Sequence, residues 1–197
     1  LGGVPYVTSG FVTTPELAGF TPSNQQIRRI GVMKGAYMTR VGEGPFPTEF
    51  TDTDLAARVR EKGGEKGAST GRDRRCGWLD CVLARYAAHA GNIHALCLTK
   101  MDIMDDDVLG DAELRAAKGY HTAGFRFANI HRLHYGSMLQ LKDMNPEYVP
   151  MPRIQDSFFG MNAASQLSAF AHEYIRWMER EIGKPVAYLS TSPKTHH

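Results

Sequence analysis

Two short segments concentrate the side chains that could do chemistry. In Gly67-Ala68-Ser69-Thr70-Gly71-Arg72-Asp73-Arg74-Arg75 the glycines leave backbone N–H groups open and Ser69 and Thr70 add hydroxyl donors. Arg72 and Arg74 bring planar forks that match a carboxylate or a phosphate. The apolar positions from Trp78 onward read as a helix, which would put these cations at a helix N-terminus, where the backbone dipole disfavours them. A bound anion would remove that conflict; the alternative is a solvated charged loop. The second segment, Leu98-Thr99-Lys100-Met101-Asp102, follows a buried-type strand, so its polar groups emerge at the strand's carboxyl end, where open α/β sheets place ligands. There the Asp102 carboxylate could accept paired hydrogen bonds from the N1 and 2-amino groups of a guanine, with the Lys100 stem over the base face. Adenine would leave that carboxylate unpaired. A Lys and an Asp solvating a loop fit the same residues, and on so short a motif that is the simpler reading.

Other groupings carry less. His131 and His134 stand three apart without cysteine or carboxylate partners, as ordinary surface or core histidines do, and no metal ligand is assigned within the chain. Asp105-Asp106-Asp107 reads as a solvated turn, and the Trp177 and Met178 end of the last apolar face as core packing.

The elements that must carry these groups follow from periodicity and punctuation. A strand at Val4 to Thr8 leads into a Thr-, Gly- and Pro-rich loop, and Ser23 or Asn24 caps a helix through Ile30. Gly31 to Val41 reads as one strand, stopped by Gly42-Glu43-Gly44-Pro45-Phe46-Pro47. Asp52 or Thr53 opens a charged helix to about Lys62, and Gly63 to Gly71 is a glycine-rich loop. Leu79, Val82, Leu83, Tyr86 and Ala87 recur at helical spacing from Trp78, Gly91 stops that helix, and a buried strand runs from Ile93 to Leu98. The same succession returns at the end: a helix over Leu167 to Ile182, Gly183, and a strand from Pro185 to Leu189. Helix followed by strand, twice, predicts an α/β fold with parallel pairing of those strands. Small antiparallel strands are expected at Lys118 to Tyr120 and at His134 to Leu141.

The composition of the 197 residues, 42% hydrophobic and 22% charged, suits a globular domain or part of one. A net charge of +2 gives no general case for nucleic-acid binding, and charged residues interrupt every apolar run, against a membrane span. Cys76, Cys81 and Cys97 are odd in number and two fall in buried-type segments, which favours a reducing, cytoplasmic setting. Leu1, with no Met and no apolar leader after it, reads as an internal point of a longer chain.

Four strings occur here in the order and spacing that they have in the C-terminal half of adenylosuccinate synthetases. They are PYVTS at Pro5 to Ser9, KGAYMTRVGEGPFPTEF at Lys34 to Phe50, GASTGRDRRCGWLD at Gly67 to Asp80, and LTKMD at Leu98 to Asp102. LSTSP at Leu189 to Pro193 also resembles that family's end. The resemblance implies a mostly parallel-sheet, P-loop-like ligase fold with small antiparallel additions, and a homodimer. The implied enzyme uses GTP and Mg2+ to phosphorylate the 6-oxygen of IMP, and the L-aspartate amino group then displaces phosphate to give adenylosuccinate. By motif position Thr8 and Val41 would contact the purine monophosphate, and Ser69 and Thr70 aspartate, with Arg72 reaching both. Arg74, Lys100, Asp102, Ser190 and Pro193 would hold GTP.

Departures accompany the matches. The family's phosphate loop, catalytic Asp and phosphoryl-stabilising His belong upstream, so residues 1–197 are expected to be the C-terminal nucleotide- and aspartate-binding portion, with Mg2+ ligands elsewhere and no turnover alone. Ser192 replaces a usual Gly, Gly10-Phe11-Val12 a usual Ser-Asn pair, and Asp73 a neutral or basic residue; from Ile103 onward the match is poor. These changes leave open a phage-type 2-aminoadenylosuccinate synthetase acting on dGMP, or a non-catalytic nucleotide-binding module.

Overall fold

The computed structural model describes residues 28–67, 71–122, 125–127, 141–153, 158, 161 and 163–191. Among them, β1 (Ile30–Lys34), β4 (Ala95–Thr99) and β8 (Val186–Leu189) form a parallel three-stranded sheet in the order β1-β4-β8. The second sheet runs β2 (Tyr37–Arg40), β3 (Arg75–Asp80), β5 (Arg115–Thr122) and β6 (Phe125–Phe127), with β7 (Asn145–Pro150) also on β5. Its β3–β5 contact is parallel and its other pairings are antiparallel, so a mixed sheet stands beside the parallel one, in keeping with the expected fold class.

Helices α1 (Thr53–Gly63), α2 (Cys81–Ala90), the single turn α3 (Asp106–Leu109) and α4 (Ala169–Ile182) fill the connections. Their ends obey local chemistry. The Asp52 carboxylate accepts from the Asp54 and Leu55 amides, and Ser168 accepts from Ala171 N. Gly64 and Gly183 close α1 and α4 at φ 58° and 74°, left-handed values that cost a glycine little. One side of the parallel sheet, with Leu96 and Leu98, packs into a core that includes Ala88, Tyr174, Met178 and Ile182 from α2 and α4.

The stretch read as one strand from Gly31 to Val41 serves both sheets. Gly35 N still bonds Thr99 O at 2.9 Å, but the Met101 sulfur lies where a Gly35 side chain would be and the Tyr174 hydroxyl donates to Gly35 O. The chain then turns out of the first sheet and Tyr37 begins the second. Alternating apolar residues on both sides of a bend look like one uninterrupted strand.

The helix expected to reach Ile30 does not extend that far. Residues 24–27 lie outside the described residues, Ile30 opens β1, and Arg29 exchanges bonds with His94, its N donating to Nδ1 at 3.0 Å. The helix read from Trp78 is also corrected: Trp78 and Leu79 end a buried strand, and α2 starts at Cys81 because the Asp80 carboxylate accepts from Leu83 N at 2.9 Å. A fully buried strand that joins a helix without a turn merges the two apolar patterns. Arg72 and Arg74 therefore precede a strand, and the conflict with a helix dipole disappears. The expected strand at His134 to Leu141 falls mostly outside the described residues, and Leu141 itself opens a single 3-10 turn, Leu141–Asp143.

Asp80 also accepts from the Tyr120 hydroxyl, yet burial outweighs both bonds and lifts its carboxyl from 3.8 to about 6. A raised acid binds its proton more tightly when folded, so its contribution to stability falls as pH rises from about 4 through 6. Asp80→Asn keeps the capping oxygen and carries no charge. We expect it to abolish that fall, worth up to about 3 kcal/mol, making melting temperature flatter than the parent's between pH 4.5 and 6.5. Parallel melting profiles for the two proteins would reject the assignment.

Candidate functional site

All three strands of the parallel sheet run the same way, so Lys34, Lys100 and Ser190, each at or just beyond a strand's carboxyl end, share one edge. Ser190 N donates to Leu98 O at 2.8 Å, which continues the β4–β8 pairing and sets Ser190 beside the turn that carries Lys100 and Asp102. Lys100 adopts φ 52°, a left-handed conformation that costs a β-carbon residue roughly 1–2 kcal/mol. That bend turns the chain at the sheet edge and leaves Asp102 exposed, while Met101 is buried against Gly35.

A carboxylate that sequence inspection passed over organises this edge. Glu65, two residues beyond the C-terminus of α1, is 0% exposed and takes four donors. Its Oε1 accepts from the Tyr37 hydroxyl at 2.6 Å and Lys100 Nζ at 2.9 Å; its Oε2 accepts from Arg74 Nη1 at 2.9 Å and Lys34 Nζ at 3.1 Å. Lys100 Nζ also bonds Gly63 O, and Lys34 Nζ bonds Thr39 Oγ1. Burial alone would raise the Glu65 carboxyl, but the bonds from Tyr37, Lys100 and Lys34 prevail and hold it at about 2. Burial lowers the Lys34 ammonium, with Lys100 and Arg74 adding to the effect. The Tyr37 hydroxyl is raised, by burial first and then by Glu65.

The arginine segment leaves from the same point. Arg74 N donates to Glu65 O at 2.9 Å, Lys66 and Asp73 form an antiparallel bridge, Gly67 N bonds Arg72 O at 2.8 Å, and Gly71 N bonds Gly67 O at 2.9 Å. Gly71 takes φ 65°, which closes the loop. Ser69 and Thr70, which lie between Gly67 and Gly71 in sequence, are outside the described residues, as are Thr8 and Pro193. Arg72 is exposed at the base of the loop, and Asp73 lies 3.9 Å from Arg60. Arg74 Nε is buried without a hydrogen-bond partner among the described residues. Arg75 belongs elsewhere: it grips Glu49 and the Gly44 carbonyl and so pins the Gly42 to Phe50 segment.

The edge therefore brings together Lys100, Asp102, Ser190 and, through Glu65, Arg74. Val41 follows β2 directly and is 54% exposed. No group of three or more His, Cys, Asp or Glu side chains suited to a metal occurs among the described residues. Asp105, read as part of a solvated turn, caps α3 through Val108 N and pairs with Lys62, and Asp106 pairs with Arg153. Glu65 was hidden because a single acid among glycines carries no pattern; Lys34 and Tyr37 fell within a stretch read as plain strand.

Comparison with known proteins gives these residues a setting. The family model described as adenylosuccinate synthetase matches residues 1–197, including the stretch after Ile103 that the motifs left poorly matched. The adenylosuccinate synthetase of Hahella chejuensis is 39% identical over 196 residues, and that of Ectopseudomonas mendocina 40% identical over 195, in each case across 98% of this chain and 43% of the relative. A solved structure described as fully ligated adenylosuccinate synthetase from Plasmodium falciparum superposes with a TM-score of 0.77 at 28% identity, over 97% of this chain and 44% of that one. The chain thus spans less than half the length of the relatives it matches, and its mixed sheets with intervening helices share their fold. This chain belongs to the adenylosuccinate synthetase family.

Proposed function

We propose that these residues form the nucleotide- and aspartate-facing part of a ligase that joins L-aspartate to IMP at the expense of GTP, yielding adenylosuccinate, GDP and phosphate. The observation that carries the reading is the shared edge, where Asp102 and Ser190 flank the left-handed Lys100 and Glu65 ties Lys100 to Arg74. Asp102 would accept the guanine N1 and 2-amino hydrogens, with the Lys100 stem against the base, since its ammonium is engaged by Glu65 and Gly63. Ser190 and Pro193 would border the base, and Arg74 would direct its fork at the GTP phosphates. Thr8, Val41 and Arg72 would hold the purine monophosphate, and Ser69, Thr70 and Arg72 the aspartate. Closing the glycine loop over aspartate would exclude water from a phosphorylated intermediate.

Mg2+, when bound, would neutralise charge on the transferring phosphates. The cation-rich cluster around Glu65 suits phosphate oxygens rather than a metal, so the Mg2+ ligands would lie outside this cluster. These side chains bind and orient, and none is assigned a proton transfer. The family also supports a homodimer and a cytoplasmic setting. Among the described residues no helix is long and apolar enough to cross a membrane.

The test is an assay of the full-length protein with GTP, IMP, L-aspartate and Mg2+, following adenylosuccinate by chromatography. One GDP and one phosphate should form per adenylosuccinate. Product from dGMP but not IMP would replace the acceptor with the phage-type one, and equal rates with ATP would reject the guanine assignment.

A further inference from the structure

We propose that Glu65 is a positioning residue for the donor nucleotide: one buried carboxylate that sets Lys100 beside the base-reading Asp102 and aims Arg74 toward the phosphates. The proposal rests on the functional reading above and adds a residue to it. A carboxylate is costly to bury unless its charge is met, and a single cation with a few hydrogen bonds would suffice for packing. Glu65 instead gathers three cations, from the end of β1, the turn after β4 and the approach to β3, together with the Tyr37 hydroxyl. Its main chain takes part as well, since Glu65 O accepts Arg74 N at 2.9 Å.

Two consequences bear on nucleotide binding. Lys100 is held in a left-handed conformation by bonds at the far end of its side chain, to Glu65 and to Gly63 O, which orient the turn that presents Asp102. Arg74 spends Nη1 on Glu65, while its Nε has no partner among the described residues. A single carboxylate facing three cations leaves the cluster with surplus positive charge, as recognition of an anion requires. Glu65 also lies two residues before Gly67, and its main-chain oxygen accepts Arg74 N, so the residue whose carboxylate orders the base-side turn also anchors the segment carrying Arg72.

The experiment compares Glu65→Gln, Glu65→Asp and Tyr37→Phe with the parent in the full-length protein, measuring KM for GTP, IMP and aspartate separately, with kcat. Glu65→Gln is expected to raise the GTP KM by about tenfold, the scale of one lost charge-assisted hydrogen bond, and to change the IMP KM by less than about twofold. Tyr37→Phe preserves every charge and should move the same constant in the same direction by less. Should Glu65→Gln fail to fold by circular dichroism, Glu65→Asp and Tyr37→Phe decide the matter. Equal rises in all three KM values, or a lower kcat at unchanged GTP KM, would mean a general structural role and overturn the proposal. A parent protein with no preference for GTP over ATP would sink the functional reading and this proposal together. A parent that prefers GTP, with variants of unchanged GTP KM, would remove only the role of Glu65.

Discussion

Gly77→Ala is expected to destabilise the protein by about 3 kcal/mol or more, the upper range for overpacking a core site. A β-carbon at Gly77 would stand 2.4 Å from Thr48 O, 2.8 Å from Thr48 C and 2.8 Å from Phe46 Cζ. The obstacle is backbone held on both sides. Thr48 O accepts Trp78 N at 2.8 Å, Phe50 N donates to Cys76 O at 2.9 Å, and the opposite edge of β3 is paired to β2 through Met38 and Gly77. Retreat of the 46–50 segment would break those bonds and separate Phe50 from Trp78, whose rings meet edge to face at 4.8 Å. Gly35 offers a contrast, because there the nearest obstacle, at 2.0 Å, is the sulfur of a buried methionine rather than main chain. Urea denaturation of the two proteins measures the effect; a loss below about 1 kcal/mol would mean that the 46–50 segment moves freely.

Asp102→Asn is expected to lower kcat/KM for GTP by about 10²- to 10³-fold and to leave ATP nearly unaffected, collapsing the preference between them. On the proposed reading the carboxylate accepts two parallel N–H groups from guanine. An amide keeps one acceptor and turns its own N–H2 toward the second donor, so a favourable contact becomes donor against donor. Because Asp102 is exposed in the free protein, the substitution should not disturb folding. A variant that retains the parent's ratio of GTP to ATP efficiency would exclude Asp102 from base recognition. Loss of efficiency with both nucleotides would indicate a misplaced turn and not a misread base.

The legible parts of the fold were those with local causes. Capping residues announced α1 and the glycine after α4, and helix followed by strand, twice, announced parallel β4 and β8. What stayed hidden depended on tertiary contact. The bend at Gly35 is packed by Met101 and Tyr174 from distant segments, and the lone glycine inside the strand pattern is its one local sign. Trp78 and Leu79 have the spacing of a helix face, but burial in β3 overrides that periodicity. At the edge, the place of Lys100 and Asp102 just beyond β4 could be anticipated because it is local to a strand end, while their proposed ligand roles came from the family resemblance. Glu65 could not, since its meaning lies in three cations scattered along the chain.

The parallel sheet joins Lys34 to Thr99 and Leu98 to Leu189, so the edge holding Lys100, Asp102 and Ser190 exists only when segments far apart along the chain have been brought into register. Each such closure costs chain entropy that no local contact returns. A nucleotide resting across that edge would have no counterpart site in the unfolded chain, and its binding free energy would add directly to the stability of those pairings. Occupancy would therefore act as a tie on the longest-range topology of the molecule, far beyond the few side chains the ligand touches.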